Sequence, residues 1–138
     1  MSPIDSFKST LQGAICKRVV VQAYAYHGEL VADVTVVYIQ FGPERWARFG
    51  IDAGHFHWRE TRELEAIAGD GQGNTYPLVD FAPGRSVSGR AIEDVSLTSV
   101  SPNVTTLCLS LGDSGAVCLI NQGDSSHLEF RLPGGKRA

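Results

Sequence analysis

Histidine, carboxylate and cysteine are the side chains in this chain whose spacing could support chemistry. His55 and His57 flank Phe56. On a strand, residues i and i+2 point the same way, so the two imidazoles share one face while Phe56 and Trp58 take the other. Two such imidazoles are half of a zinc site. His127 and Glu129 repeat the spacing near the end of the chain. A pseudo-two-fold packing of these two strands would bring His55, His57, His127 and Glu129 together as a candidate metal set. Ordinary alternation, with Phe56, Trp58, Leu128 and Phe130 in the core, accounts for the same pattern without a metal, and no cofactor is expected. Asp70-Gly71-Gln72-Gly73-Asn74 carries alternating oxygens, but a calcium loop would need glycine and glutamate where Thr75 and Phe81 stand, so it reads as a turn.

Gly112-Asp113-Ser114-Gly115 resembles the run around the nucleophile of trypsin-like serine proteases, and His57, Asp80 and Ser114 follow in the order of that triad. The likeness covers four residues, and Ala116 stands where that family has a further glycine. The same four residues are good hairpin-turn chemistry, which is the reading adopted. Cys16, Cys108 and Cys118 all lie in apolar runs and read as buried reduced thiols. A three-residue loop of Gly112, Asp113 and Ser114 would place Cys108 opposite Cys118, and a two-residue loop would put them on opposite faces.

These residues need strands to position them. The 138 residues hold 15 glycines, against a usual share of about 7 %. Apolar residues are 43 % and charged residues 20 %, with a net charge of −3. The length suits one domain, 1–138, with enough apolar material for a core. The charge balance argues against disorder and against nucleic-acid binding. No stretch reads as a membrane span or targeting segment, so the expected location is the cytoplasm.

Ser2-Pro3-Ile4-Asp5 reads as a helix start, and Ile4, Phe7 and Leu11 recur at helical spacing before Gly13. Strands are predicted at Ile15–Tyr26, Leu30–Phe41, Arg45–Ile51 and His55–Glu60. The second is apolar on both alternating faces, which predicts a central strand covered on both sides. Thr61–Ala68 reads as a short helix, and Gly69–Val87 as a long irregular linker or functional loop. Strands resume at Arg90–Ser99, Val104–Leu111, Gly115–Ile120 and Ser126–Leu132. Pro133-Gly134-Gly135 is expected to end the order and leave a mobile tail.

The two strand sets resemble each other. Ile39-Gln40-Phe41-Gly42 matches Leu109-Ser110-Leu111-Gly112, and Phe56-His57-Trp58-Arg59 matches Leu128-Glu129-Phe130-Arg131. The expected fold is therefore α+β and mainly antiparallel β. It has a short N-terminal helix and two pseudo-repeated four-stranded meanders, 13–60 and 89–132. A connecting helix and loop span 61–88, and the meanders pack as a sandwich or a barrel-like sheet.

No catalytic constellation stands at a specific spacing. The expected function is a small non-enzymatic protein-binding module, of the physical type of bacterial immunity, antitoxin or accessory proteins. Its candidate anchors are Trp46, Arg48, Trp58, Arg59, Tyr76 and Asp80, since aromatics with arginine favour interfaces. The alternative is a small enzyme, or a metal- or small-ligand-binding protein, with a site between the half-sheets. The expected partner is another protein, with neither nucleic acid nor membrane involved, and an edge strand could pair with a second copy.

Overall fold

The computed structural model describes residues 2–81, 87–133 and 136–137, the last two by their backbone alone. Helix α1 spans Pro3–Leu11. Its start is reciprocally capped: Ser2 Oγ accepts from the Asp5 amide at 3.3 Å and donates to Asp5 Oδ2 at 2.7 Å. Phe7 and Leu11 are fully buried, so the helix presents its apolar stripe inward.

Thirteen strands follow among the described residues: β1 (Ile15–Cys16), β2 (Arg18–Tyr26), β3 (Glu29–Gly42), β4 (Arg45–Asp52), β5 (His55–Thr61), β6 (Asn74–Thr75), β7 (Leu78–Asp80), β8 (Arg90–Ala91), β9 (Asp94–Ser101), β10 (Val104–Ser110), β11 (Ala116–Gln122), β12 (Ser125–Leu132) and β13 (Lys136–Arg137). β2 to β5 form one antiparallel meander and β9 to β12 another. Both belong to one sheet that curls into a half-barrel. The join is between β3 and β12, where Ser126 lies opposite Val34. β1 and β8, the two lead-in segments, pair with each other as a separate ribbon.

Four expectations are corrected. The first strand of each set breaks after two residues: β1 separates from β2 at Lys17, and β8 from β9 at Ile92-Glu93. Leaving the main sheet lets β1 and β8 pair with each other, and Ile92 is buried in the core. Residues 62–68 are not helical; Ile67 makes only an isolated bridge to Tyr76. Leu64 instead packs on a cluster of Val20, Val36, Tyr38 and Trp46, so sheet packing overrides its helical spacing. Residues 74–80 are not an irregular loop, because β6 and β7 add to the free edge of β2. After Leu132 the chain returns as β13 against β12, satisfying backbone groups that a loose tail would leave unpaired. Residues 82–86, within the expected loop, lie outside the described residues.

The main core lies inside the curl. Phe7 contacts Phe49, Phe56 and Trp58, with ring centroids 5.0, 5.1 and 5.5 Å away. Leu107, Leu109, Val117 and Leu119 close it from the second meander. The smaller cluster around Tyr38 and Trp46 lies on the outer face of the first meander, beneath the strap that runs from Arg62 to Asp80.

The Gly112–Ser114 loop has three residues and a 3₁₀ turn, closed by a bond from the Leu111 amide to the Gly115 carbonyl at 2.8 Å. Gly115 has φ 114°, and a Cβ there would lie 2.3 Å from the Arg131 carbonyl oxygen. This register sets Cys108 opposite Cys118, and the two sulfurs are bonded. The expectation of three reduced thiols is therefore corrected for this pair, and Cys16 alone is free and buried.

Candidate interaction site

The expected anchors divide between the two faces of the first meander. Trp58 points inward, edge-on to Phe7, and its indole N–H donates to Ser6 Oγ at 2.8 Å. Trp46 is on the outer face but only 6 % exposed, with Leu64 and Leu78 against its cluster and the Arg18 guanidinium 5.9 Å from its ring. Both tryptophans thus hold the fold together. Their shared alternation concealed that they alternate onto opposite faces.

The charged anchors form a lattice that fastens the strap. Arg59 forks onto both oxygens of Glu65, and Arg48 Nε lies 3.8 Å from the same carboxylate and 3.3 Å from the Tyr38 hydroxyl oxygen, to which it donates. Hydrogen bonds from Arg59, then the charges of Arg59 and Arg48, hold the Glu65 carboxyl below its ordinary range. Arg18 forks onto Asp80 at 2.8 and 3.2 Å and lowers that carboxyl in the same way. Tyr76 stacks on Tyr24 at 5.4 Å, and the Tyr24 hydroxyl bonds to Asn74. Asp70 is used within its own turn, accepting from the Gln72 amide at 2.8 Å and from Asn74 Nδ2 at 2.6 Å.

The histidines are separated in the sheet order. β3 and β4 lie between β5 and β12, so the strand pairing that would bring the four candidate ligands together does not occur. His57 Nε2 sits 3.0 Å from Asp52 Oδ2, close enough for an ion pair but not aligned as a hydrogen bond. Its ring lies over Gly50, where a Cβ would come within 3.0 Å. His55 is exposed at the start of β5. His127 Nε2 lies 3.3 Å from Glu129 Oε1, and Arg131 donates to Glu129 Oε2 at 2.8 Å. Among the described residues, no three His, Cys, Asp or Glu side chains gather to hold a metal ion. Ser114, His57 and Asp80 likewise have separate settings: Ser114 lies in the β10–β11 turn, while the other two face Asp52 and Arg18.

A surface that motif reading missed lies at the tip of the β2–β3 hairpin. His27 and Gly28 adopt φ 49° and 82°, the left-handed pair of a tight hairpin turn. Tyr26 is 48 % exposed, and Leu30 and Val31 are 60 % exposed each. The cause is register. β3 has 14 residues, but β4 pairs with it only from Val37 to Gly42 and β12 only at Val34. Residues 29–33 therefore extend past both neighbours on that side, and β3 is covered on two faces only beyond this stretch. A groove of about 600 Å³ opens beside it, lined by Val31, Ala32, Asp33, Ser125, Ser126, His127 and Leu128. The signal available in the sequence was that Leu30-Val31 comes one residue after the His27-Gly28 turn, whereas the double-sided apolar pattern begins only at Val34.

Among the described residues, no helix is long and apolar enough to cross a membrane. Compared with family models, with curated proteins and with solved structures, the chain matches none.

Proposed function

We propose that this chain is a small non-enzymatic protein-binding module, an immunity, antitoxin or accessory protein working in the cytoplasm, and that it engages its partner through the β2–β3 hairpin tip. The observation that carries this reading is the exposure of Leu30 and Val31, with Tyr26 beside them, on a hairpin whose β3 edge over residues 29–33 has no strand neighbour among the described residues. Such an edge offers unpaired backbone N–H and C=O groups to an incoming strand, and its apolar side chains give that pairing an area to bury. Trp46, Arg48, Arg59, Tyr76 and Asp80 take a supporting role by holding the strap against β2 and its neighbours. The test is a photo-crosslinking amino acid placed at Leu30 and, separately, at Val100, which is still more exposed and lies on β9 at the far side of the sheet. A partner crosslinked from position 30 and not from position 100 supports the proposal. Equal crosslinking from both sites contradicts it.

A second reading, a small-ligand or metal site between the half-sheets, draws support from the groove at the β3–β12 junction, where Asp33 and His127 are both present. Thermal unfolding with zinc and with chelator tests it. A rise with zinc that His127→Ala removes favours this reading, and identical midpoints in both conditions exclude a metal there.

A further inference from the structure

The outward face of the second meander carries a site that the protein-binding reading does not use. The bonded pair Cys108–Cys118 spans ten residues that the three-residue turn and seven register pairs of β10 and β11 already close. A cross-link over so short a loop acts mainly on the unfolded chain, and the backbone pairings of β10 and β11 do not run through it, so the sheet is expected to stay folded when it opens. Neither cysteine belongs to the core inside the curl. The pair lies in the wall of a pocket of about 280 Å³ together with Ser110, Ala116, Arg131 and Leu132. Both line the pocket, but Cys108 is partly exposed whereas Cys118 is fully buried, so Cys108 is the more accessible of the two.

The charges beside the two sulfurs differ. Arg131 Nη1 lies 4.0 Å from Cys108 Sγ. Glu129 is the register partner of Cys118 and accepts from Arg131 Nε at 2.8 Å. A cation beside a sulfur helps it carry negative charge, so the Arg131 contact singles out Cys108 as the attacking member of the pair. Cys16 provides an internal contrast: it is buried, and burial pushes its thiol up to about 11.

We propose that Cys108 is a thiol–disulfide exchange site for a low-molecular-weight thiol, with Cys118 as its resolving partner and Arg131 as the positioning residue. In the oxidising direction, the Cys108 thiolate attacks one sulfur of a small disulfide. A bond forms between Cys108 Sγ and that sulfur, and the other half leaves as a thiolate that solvent protonates. Cys118 then gives its proton to solvent and attacks Cys108 Sγ, and the second small thiolate leaves. The two cysteines lose two electrons and two protons, and the small disulfide becomes two thiols. The reverse reaction consumes two small thiols.

The wild-type protein in glutathione redox buffers without denaturant, followed by intact mass and far-ultraviolet circular dichroism, tests the exchange. The expected result is reversible opening of the disulfide with the β spectrum retained. A disulfide that opens only when denaturant unfolds the sheet overturns the proposal. Site selectivity is read with oxidised glutathione on Cys118→Ser and Cys108→Ser. The first takes one adduct, on Cys108, while adduct formation on Cys118 of the second at an equal rate overturns the assignment. Arg131→Gln in the Cys118→Ser background slows adduct formation about tenfold at neutral pH, and Arg131→Lys restores it. Equal rates in all three overturn the role of Arg131.

Discussion

Asn121 ties the two meanders together through one buried amide. Its Oδ1 accepts from the Gly54 amide at 3.0 Å, and its Nδ2 lies 3.2 Å from the Ile51 carbonyl oxygen, 3.2 Å from that of Ser125 and 3.1 Å from Ser126 Oγ. Removing it leaves the Gly54 N–H and the Ile51 carbonyl without this partner, so Asn121→Ala should cost about 2–3 kcal/mol in urea unfolding. Asn121→Asp should cost at least as much, because a carboxylate would face carbonyl oxygens and donate nothing. Gly50 is a residue-scale constraint of another kind. A Cβ there would press on the His57 ring at 3.0 Å and on the Thr35 carbonyl oxygen at 3.2 Å. Gly50→Ala should destabilise by about 1–3 kcal/mol, and His57→Ala should recover part of that loss, measured as a double-mutant cycle. The carboxyls of Glu60, Glu65, Asp80 and Asp94 are held low by bonds from Arg45, Arg59, Arg18 and Lys8. A carboxyl whose folded pKa is depressed adds stability above its unfolded value and loses it as pH falls through the folded one. The urea midpoint should therefore drop below about pH 4, and by less in high salt, since these pairs are exposed.

At the scale of elements, α1 is the clearest case of local sequence agreeing with tertiary need. Ser2, Pro3 and Asp5 start it, Phe7 and Leu11 set its inner stripe, and Gly13 at φ 89° ends it. Phe7 is fully buried against three aromatic rings, so Phe7→Ala should cost about 3–5 kcal/mol in equilibrium unfolding. The hairpin turns were legible from Gly28 and Gly54, at φ 82° and 83°, although His27 and Ala53 share the left-handed backbone without being residue types that favour it. The residues around Leu64 and Ile67 were not. Their helical spacing is real, but Leu64 is taken up by the Trp46 cluster and Ile67 bridges to Tyr76. Which strand receives such a segment is decided by distant residues. β6 and β7 were hidden likewise, since two- and three-residue strands exist only because β2 offers an edge.

Across the whole molecule, alternation and turn glycines announced two four-stranded meanders, and the curled sheet contains both. Alternation could not announce the β3–β12 junction, which rests on the single pairing of Val34 with Ser126 and on the Asn121 bonds. Nor could it show that Trp46 is covered on the outer face while Tyr26, Leu30 and Val31 are exposed, because exposure at the tip depends on where β4 and β12 stop. β9 ends the strand order opposite β5 and is a free edge among the described residues, with Val100 74 % exposed. If it pairs copies of the chain, light scattering after size exclusion should give a dimer mass that Val100→Lys reduces to that of a monomer. The most direct test of the binding account is quantitative capture from the native organism with two baits, the wild-type chain and Leu30→Asp/Val31→Asp, both shown to be folded by circular dichroism. The account predicts one protein retained near equimolar amounts by the wild type and lost from the variant. The same protein retained equally by both baits would contradict it.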